Sequence, residues 1–301
     1  GSPAPATRVR PPKSGSRRMS IAPALAIFVL LAAGVAAADQ SPFWGDAENW
    51  AAIVAAGLET PGEPLPTLSG MGAALTPRQA YRVQEALLDL RVGAGARAGY
   101  KAGLTSRISR FRFRSDTPVS GVLPAAGRVP AGGRVRARPG LLLEAELGFT
   151  LRRAPDRPLP DVAALIPLLA SVRPVVELPV NPFGKARPTG LDLIAVNVGA
   201  HRYVPGRARA FGDWREVERV FVEVFRDGEI ETRGKARNVE PGQLEGLLWL
   251  VNRELENGRE IAADDLFLTG STTPIGPALP GRYEVRFRGL GTVAFTVDGR
   301  R

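Results

Sequence analysis

The sequence predicts an α+β domain, with helices first and a large, mostly β core after them. Three observations carry that expectation. Helical apolar periodicity is concentrated between Phe43 and Gly93. From Gly99 onward, strand-length apolar runs and glycine-centred turns take over. One amphipathic helix, Gly242 to Asn257, interrupts that β-rich stretch near its end. With 301 residues, 44% of them hydrophobic, the chain has apolar material for a full core, and no internal repeat divides it.

In chain order, residues 1–38 read as an upstream basic segment and a signal peptide. Arg17-Arg18 close a basic n-region, Ala22 to Val35 form an apolar h-region, and Ala36-Ala37-Ala38 offers a cleavage site. The alternative is an uncleaved membrane anchor, for which the apolar stretch is short. Export, to the periplasm, is the expectation, with membrane contact only through the leader if it stays uncleaved. Residues 39–98 should then form a helical N-terminal part, and residues 99–301 a β-rich catalytic core.

Within the helical part, Phe43 to Ala56 predicts a short helix carrying Trp44 and Trp50. Thr76-Pro77-Arg78-Gln79 is a strong helix start, with Thr as N-cap, Pro at the first position and Gln closing a capping box. The stripe that follows is Ala80, Val83, Leu87 and Leu90, ending near Gly93. Arg107 to Arg114 interleaves basic and aromatic residues, and reads as an edge strand or loop with arginines facing solvent. Leu141 to Leu151 is a strand, and Phe221 to Thr232 a hairpin around Asp227-Gly228. The late helix presents Leu244, Leu247, Leu248, Val251 and Leu255. Tyr283–Phe287 and Thr292–Val297 close the chain as a hairpin around Gly289-Leu290-Gly291.

Charge and composition remove several function classes. The net charge is +10, but residues 1–38 hold five basic residues and no acid, leaving 35 basic against 30 acidic side chains elsewhere. That surplus is no nucleic-acid footprint. The absence of cysteine excludes disulfides, thiolate nucleophiles and cysteine zinc sites, and the lone His201 leaves little histidine chemistry.

Carboxylates and one lysine remain as candidates. Glu144 and Glu146 stand at i and i+2 on one strand, so both point to one face. The solvent-facing side of a half-buried strand shows the same pattern, and pattern alone favours that reading. Glu177, however, lies in the apolar stretch Pro174-Val-Val-Glu-Leu-Pro179. Three carboxylates without His or Cys suit a hard, oxygen-seeking cation, Mg²⁺ or Mn²⁺, whose remaining positions accept a bidentate 2-oxo acid and a water. Lysine occurs only at positions 13, 101, 185 and 235, so arginine is the default cation here. Lys101, in Gly99-Tyr-Lys-Ala-Gly-Leu-Thr-Ser106, is a lysine that arginine cannot replace if its amine must release a proton.

Taken in order, Ala80-Tyr-Arg-Val-Gln84, Gly99 to Ser106, Glu144-Ala-Glu146, Glu177, Trp249-Leu250, Gly258, Leu268-Thr-Gly-Ser271 and Gly289-Leu-Gly291 resemble the motifs of the 2-keto-4-pentenoate hydratase and 4-oxalocrotonate decarboxylase group. That group is part of the fumarylacetoacetate hydrolase superfamily, and the resemblance runs from about Leu75 to Val297. It implies a fumarylacetoacetate hydrolase-like mixed β-roll, a homo-oligomer, and a role in the breakdown of aromatic compounds. It also implies Glu144, Glu146 and Glu177 as metal ligands and Lys101 as the catalytic lysine. Glu as third ligand, and the absence of histidine before His201, set the chain apart from the superfamily's C–C hydrolases.

Departures from the group's pattern accompany the match. Val119 stands where the group places an acid, and Val196 and Gly199 stand at usually polar positions. Asp116 is either a substitute acid/base or a turn residue. Ser271 and Thr272 are candidates for contacts to the substrate carboxylate. The expectation is thus a metal-dependent lyase of hydratase type, acting on a small 2-oxo or 2-hydroxydienoate acid through a metal-stabilised enolate. The alternatives are a 2-oxo acid decarboxylase of the same family and a catalytically silent periplasmic binding protein.

Overall fold

A computed structural model describes Gly1 and residues 47–60, 62–72, 75–91, 97–210 and 213–299, with the backbone alone at 214 and 215. The expected leader beyond Gly1, Trp44 and the stop at Gly93 lie outside the described residues. Helix α1 (Ala47–Leu58) buries Trp50, Ala51 and Val54. Helix α2 (Pro77–Arg91) starts with the expected box: the Gln79 N–H donates to the Thr76 hydroxyl at 3.3 Å, and the Thr76 N–H to the Gln79 side-chain oxygen at 2.8 Å.

Two expectations are corrected in this part. The buried stripe of α2 is Ala80, Val83, Gln84 and Leu87, whereas Leu90 is 60% exposed. At about 100° per residue, Leu90 falls roughly 80° off the line through Ala80, and it lies on the last turn. Gln84 takes the inward place because its amide donates to the Ser120 and Ile194 carbonyls, each at 2.9 Å. The basic-aromatic run is helix α3 (Arg107–Arg112), not an edge strand or loop. Ser106 caps it, accepting from the Ser109 N–H at 3.1 Å while the Ser109 hydroxyl accepts in return from the Ser106 N–H. That local hydrogen bonding outweighs the β propensity of Ile108 and Phe111.

The helices that follow are α4 (Val162–Leu165), α5 (Gly190–Ala195), α6 (Trp214–Glu218) and α7 (Gln243–Glu256). The strands are β1 (Arg97–Gly103), β2 (Val119–Pro124), β3 (Arg134–Arg136), β4 (Leu142–Leu151), β5 (Leu169–Leu178), β6 (Arg202–Pro205) and β7 (Arg209–Ala210). After them come β8 (Phe221–Arg226), β9 (Glu229–Lys235), β10 (Leu266–Ser271), β11 (Gly276–Pro277), β12 (Gly281–Phe287) and β13 (Gly291–Asp298). One sheet runs β2-β1-β10-β4-β5-β6, with β11 beside β4 and β7 beside β5; the other runs β3-β13-β12-β8-β9. The sheets are mixed: β1 lies parallel to β10, and β13 to β3. The α+β class and the mixed β architecture stand as expected, and so do both hairpins, β8–β9 and β12–β13.

Alternation along the first sheet separates a dry face from a polar one. Tyr100 and Ala102 on β1, Phe267 on β10, Ala145, Leu147 and Phe149 on β4, and Val176 and Leu178 on β5 all join the main core. The second sheet and α7 complete that core through Val285, Phe295 and Leu247. Each such side chain contributes about 1.5–3 kcal/mol by leaving water. Because side chains alternate, Lys101, Glu144, Glu146 and Glu177 are turned to the opposite face. That face is covered too, since Ala80 of α2, Ile194 of α5 and Val119 of β2 cluster there. At Gly99 (φ +142°) a Cβ would lie 2.0 Å from the Leu266 carbonyl oxygen of β10, so glycine is required at this point, where β1 bulges in its pairing with β2.

Candidate metal centre

Strand register, not sequence proximity, assembles the site. In the β4–β5 ladder Glu144 pairs directly with Glu177, and Glu146 lies two residues along on the same face. Glu146 is also opposite Ser271 of β10, while Lys101 of β1 is opposite Leu268 of β10. The three glutamates bring one carboxylate oxygen each to within 4.8 Å of one another. Glu146 and Glu177 are fully buried and Glu144 is half-buried. Pattern alone favoured a solvated strand face for Glu144 and Glu146; the cover over the sheet overturns that reading.

The Lys101 ammonium donates to Glu177 Oε1 at 2.6 Å and to the Val198 carbonyl at 3.2 Å. Glu146 Oε2 accepts the Gly270 N–H at 2.8 Å. Glu146 Oε1 and Glu177 Oε2 are buried without a partner. Burial, reinforced by Glu177 and Glu144, pushes the Glu146 carboxyl well above the usual range. Burial lifts Glu177 to about 7, against the pull of Lys101. The same burial acts to lower the Lys101 amine, but Glu177, then Glu144 and Glu146, outweigh it and hold the amine above the ordinary lysine value. That direction follows from three carboxylates facing one amine.

Three acids against one ammonium leave a surplus of negative charge in a dry place. An ion 2.0–2.6 Å from each donor spans oxygens up to about 4–5 Å apart, which matches the cluster. The donor set is all oxygen and two of its buried oxygens are orphaned, so a hard divalent cation fits these residues.

The remaining candidates are dispersed. Asp116 is exposed in the bend between α3 and β2 and is not brought to the cluster. Thr272 is buried, but its hydroxyl and its N–H both donate to the Ala145 carbonyl, at 2.7 and 2.8 Å, so it secures β4 rather than presenting a free group. Ser271, in register with Glu146, donates its hydroxyl to the Thr273 carbonyl at 2.9 Å. Val119 is buried beside the site: a Cβ on Gly103 would meet Val119 Cγ2 at 3.2 Å and Val198 Cγ1 at 2.7 Å. Val196 and Gly199 instead line a second cavity, whose wall includes neither Lys101 nor any of the three glutamates.

Sequence reasoning missed two backbone groups, the Gly270 N–H and the Val198 carbonyl. The latter is aimed by Asn197, Val198 and Gly199 in the left-handed region, at φ 54°, 51° and 69°. A β-branched residue there is a true outlier, of the kind that costs about 1–3 kcal/mol. Asn197 secures the turn by bonding both the N–H and the carbonyl of Val122. The only sequence trace is the Asn-x-Gly pattern, a weak turn signal.

Comparison with known proteins agrees with this geometry. The chain is 28% identical over 240 residues to 2-keto-4-pentenoate hydratase 2 of Dechloromonas aromatica, covering 77% of this chain and 90% of that relative. Its structure superposes on 4-oxalocrotonate decarboxylase of Pseudomonas putida G7, solved with magnesium and adipate, with a TM-score of 0.75 and 25% identity over 83% of this chain and 97% of that one. Both likenesses support the resemblance to the hydratase and decarboxylase group of the fumarylacetoacetate hydrolase superfamily. A second structure of the same decarboxylase, with calcium and acetate, matches with a TM-score of 0.73. No protein-family model matches the chain.

Proposed function

We propose that this protein is a divalent-metal-dependent lyase of hydratase type, acting on a small 2-oxo or 2-hydroxydienoate acid. Glu144, Glu146 and Glu177 would hold Mg²⁺ or Mn²⁺. The observation that carries the reading is the buried three-carboxylate cluster with two unpartnered oxygens. A bound divalent ion supplies the positive charge against which a 2-oxo acid is held and its enolate stabilised. Lys101, 2.6 Å from Glu177, is placed to move a proton at the substrate carbon beside that ion. Lys101 and Val119 are both buried, which keeps the lysine's side of the site dry. Ser271 stays a candidate contact for the substrate carboxylate, being in register with Glu146. Support comes also from the hydratase named among the relatives and from the magnesium in the decarboxylase structure.

The test is calorimetric binding of Mg²⁺ and Mn²⁺ to the wild type and to Glu177→Gln, followed by turnover of a dienoate panel with and without chelator. Tight binding lost in the variant, with chelator-sensitive turnover, is the expected result. Unchanged metal binding in Glu177→Gln overturns the reading.

One observation favours decarboxylation as the second reading. With Val119 apolar and Asp116 exposed, Lys101 is the titratable side chain beside the three glutamates among the described residues. Loss of CO₂ requires one proton returned to carbon, whereas hydration also requires an activated water. Release of CO₂ from 2-oxo dicarboxylates, without water addition to dienoates, would select it. A thermal shift with 2-oxo acids and no turnover would select a binding protein. Export of the chain and assembly as a homo-oligomer belong to the same proposal, supported by the leader pattern and the resemblance. Mass spectrometry of the native N-terminus and sedimentation test them.

A further inference from the structure

A cavity of about 250 Å³ lies away from the glutamate cluster, between the ends of α1 and α2 and the segment from Val196 to Arg202. Arg91, Arg138, Arg202 and His201 line it, and among the described residues no acid does. The acid nearby is Glu59, which pairs with Arg91 at 3.6 Å and is 74% exposed. Arg202 donates one guanidinium N–H to the Ala126 carbonyl at 2.5 Å, and a guanidinium carries five such donors. The Nε of Arg138 is buried without a partner. The hollow around Arg209, Arg286 and Arg288 differs, because Glu223 is part of its wall and Glu284 lies 2.5 Å from Arg286. That second hollow is compensated from within; the first is not.

We infer that the cavity is an anion site, separate from the metal centre, built to hold one small dianion, either a tetrahedral oxyanion or a dicarboxylate. Three guanidiniums lining one partly open hollow repel each other, and a dianion removes that repulsion while satisfying the orphaned Arg138 Nε–H. His201 registers the field already. Burial first, then Arg138, Arg202 and Arg91, hold its imidazole down at about 4. At neutral pH it is therefore an uncharged ring with a nitrogen to spare for the ligand or its water.

The sole histidine makes the test direct, since its imidazole NMR signals belong to His201 alone. Sodium sulfate and sodium succinate are titrated in chelator-treated buffer, with sodium chloride at matched ionic strength as control. The expected result is a saturable shift of the His201 signals, a rise of its pKa toward the ordinary value, and a higher Tm with sulfate, succinate or both, but not with chloride. The arm that saturates at the lower concentration identifies oxyanion or carboxylate. Arg138→Gln should weaken binding about tenfold or more, as loss of a charge-assisted hydrogen bond does. Without anion its Tm should equal or exceed that of the wild type, because a repelling cation is gone. Arg91→Gln should also weaken binding, while Glu177→Gln should leave it intact. A response no larger than chloride's, or one retained in both arginine variants, overturns the inference. So does a response lost in Glu177→Gln, which would place the anion at the metal centre.

Discussion

Two of the places where this molecule buries carboxylates do so in opposite ways. At the C-terminal end of α7, Glu254 is fully buried against Arg259, whose Nη1 lies 2.7 Å from Glu254 Oε2. Arg259 Nη2 also donates to Glu85 at 2.9 Å and to the Gln84 side chain at 2.6 Å, tying α7 to α2. Burial pushes Glu254 up in pKa, and Arg259 opposes it. Charge there is met by charge from the chain. At the β4–β5 ladder three glutamates face one lysine, and two buried oxygens have no partner. The first arrangement balances its charge within the chain, although Glu254 Oε1 is also buried without a partner, and it holds the fold together. The second lacks that balance, and the imbalance is the observation behind the proposed metal site.

The sharpest way to break this comparison is Glu177→Gln. Metal binding should be lost and turnover should fall by about three orders of magnitude or more, since the interaction is used in the transition state. Folding without metal should be unimpaired, because the change removes one of three repelling carboxylates. A loss of Tm comparable to that from breaking the Glu254 pair would make the glutamates structural, and the metal reading would fall. Lys101→Arg comes next. It keeps the charge but does not release a proton near neutral pH, so turnover should drop about 10²–10⁴-fold while calorimetric Mg²⁺ affinity is retained. Near-normal rates would reduce Lys101 to charge balance.

Breaking the complete pair should be felt in stability alone. Arg259→Met leaves Glu254 buried without its cation, at a cost of about 3–5 kcal/mol read by urea denaturation. Mg²⁺ should not restore it, and adding Glu254→Gln should recover part of the loss. A smaller effect is expected at His201, held at about 4 when folded against an ordinary 6.5. Because the unfolded chain binds the extra proton first, stability is full above pH 6.5 and falls as the pH drops from 6.5 toward 4, by up to about 3 kcal/mol. His201→Gln should flatten that limb of the stability profile, and an unaltered limb would mean that His201 titrates freely.

The sequence by itself determined the local and periodic features. The Thr76–Gln79 box, the late amphipathic helix, both hairpins and the strand at Leu141–Leu151 depend on neighbours a few residues apart, and each is present. The three glutamates were legible for a related reason: i and i+2 on a strand share a face, and a carboxylate within Pro174–Pro179 has no reason to be there unless something balances it. What only the tertiary structure decided were matters of long-range packing. Whether the Glu144 face meets water depends on α2, α5 and the turn at Asn197 folding back over the sheet. That cover also put Gln84 inside and left Leu90 outside, and spent the Thr272 hydroxyl on Ala145. It placed Val196 and Gly199 in the arginine cavity instead of beside Lys101. Periodicity records which way a side chain points along its own element. What it points at is set by elements as much as 124 residues away, and so are the charge balance and the chemistry of the site.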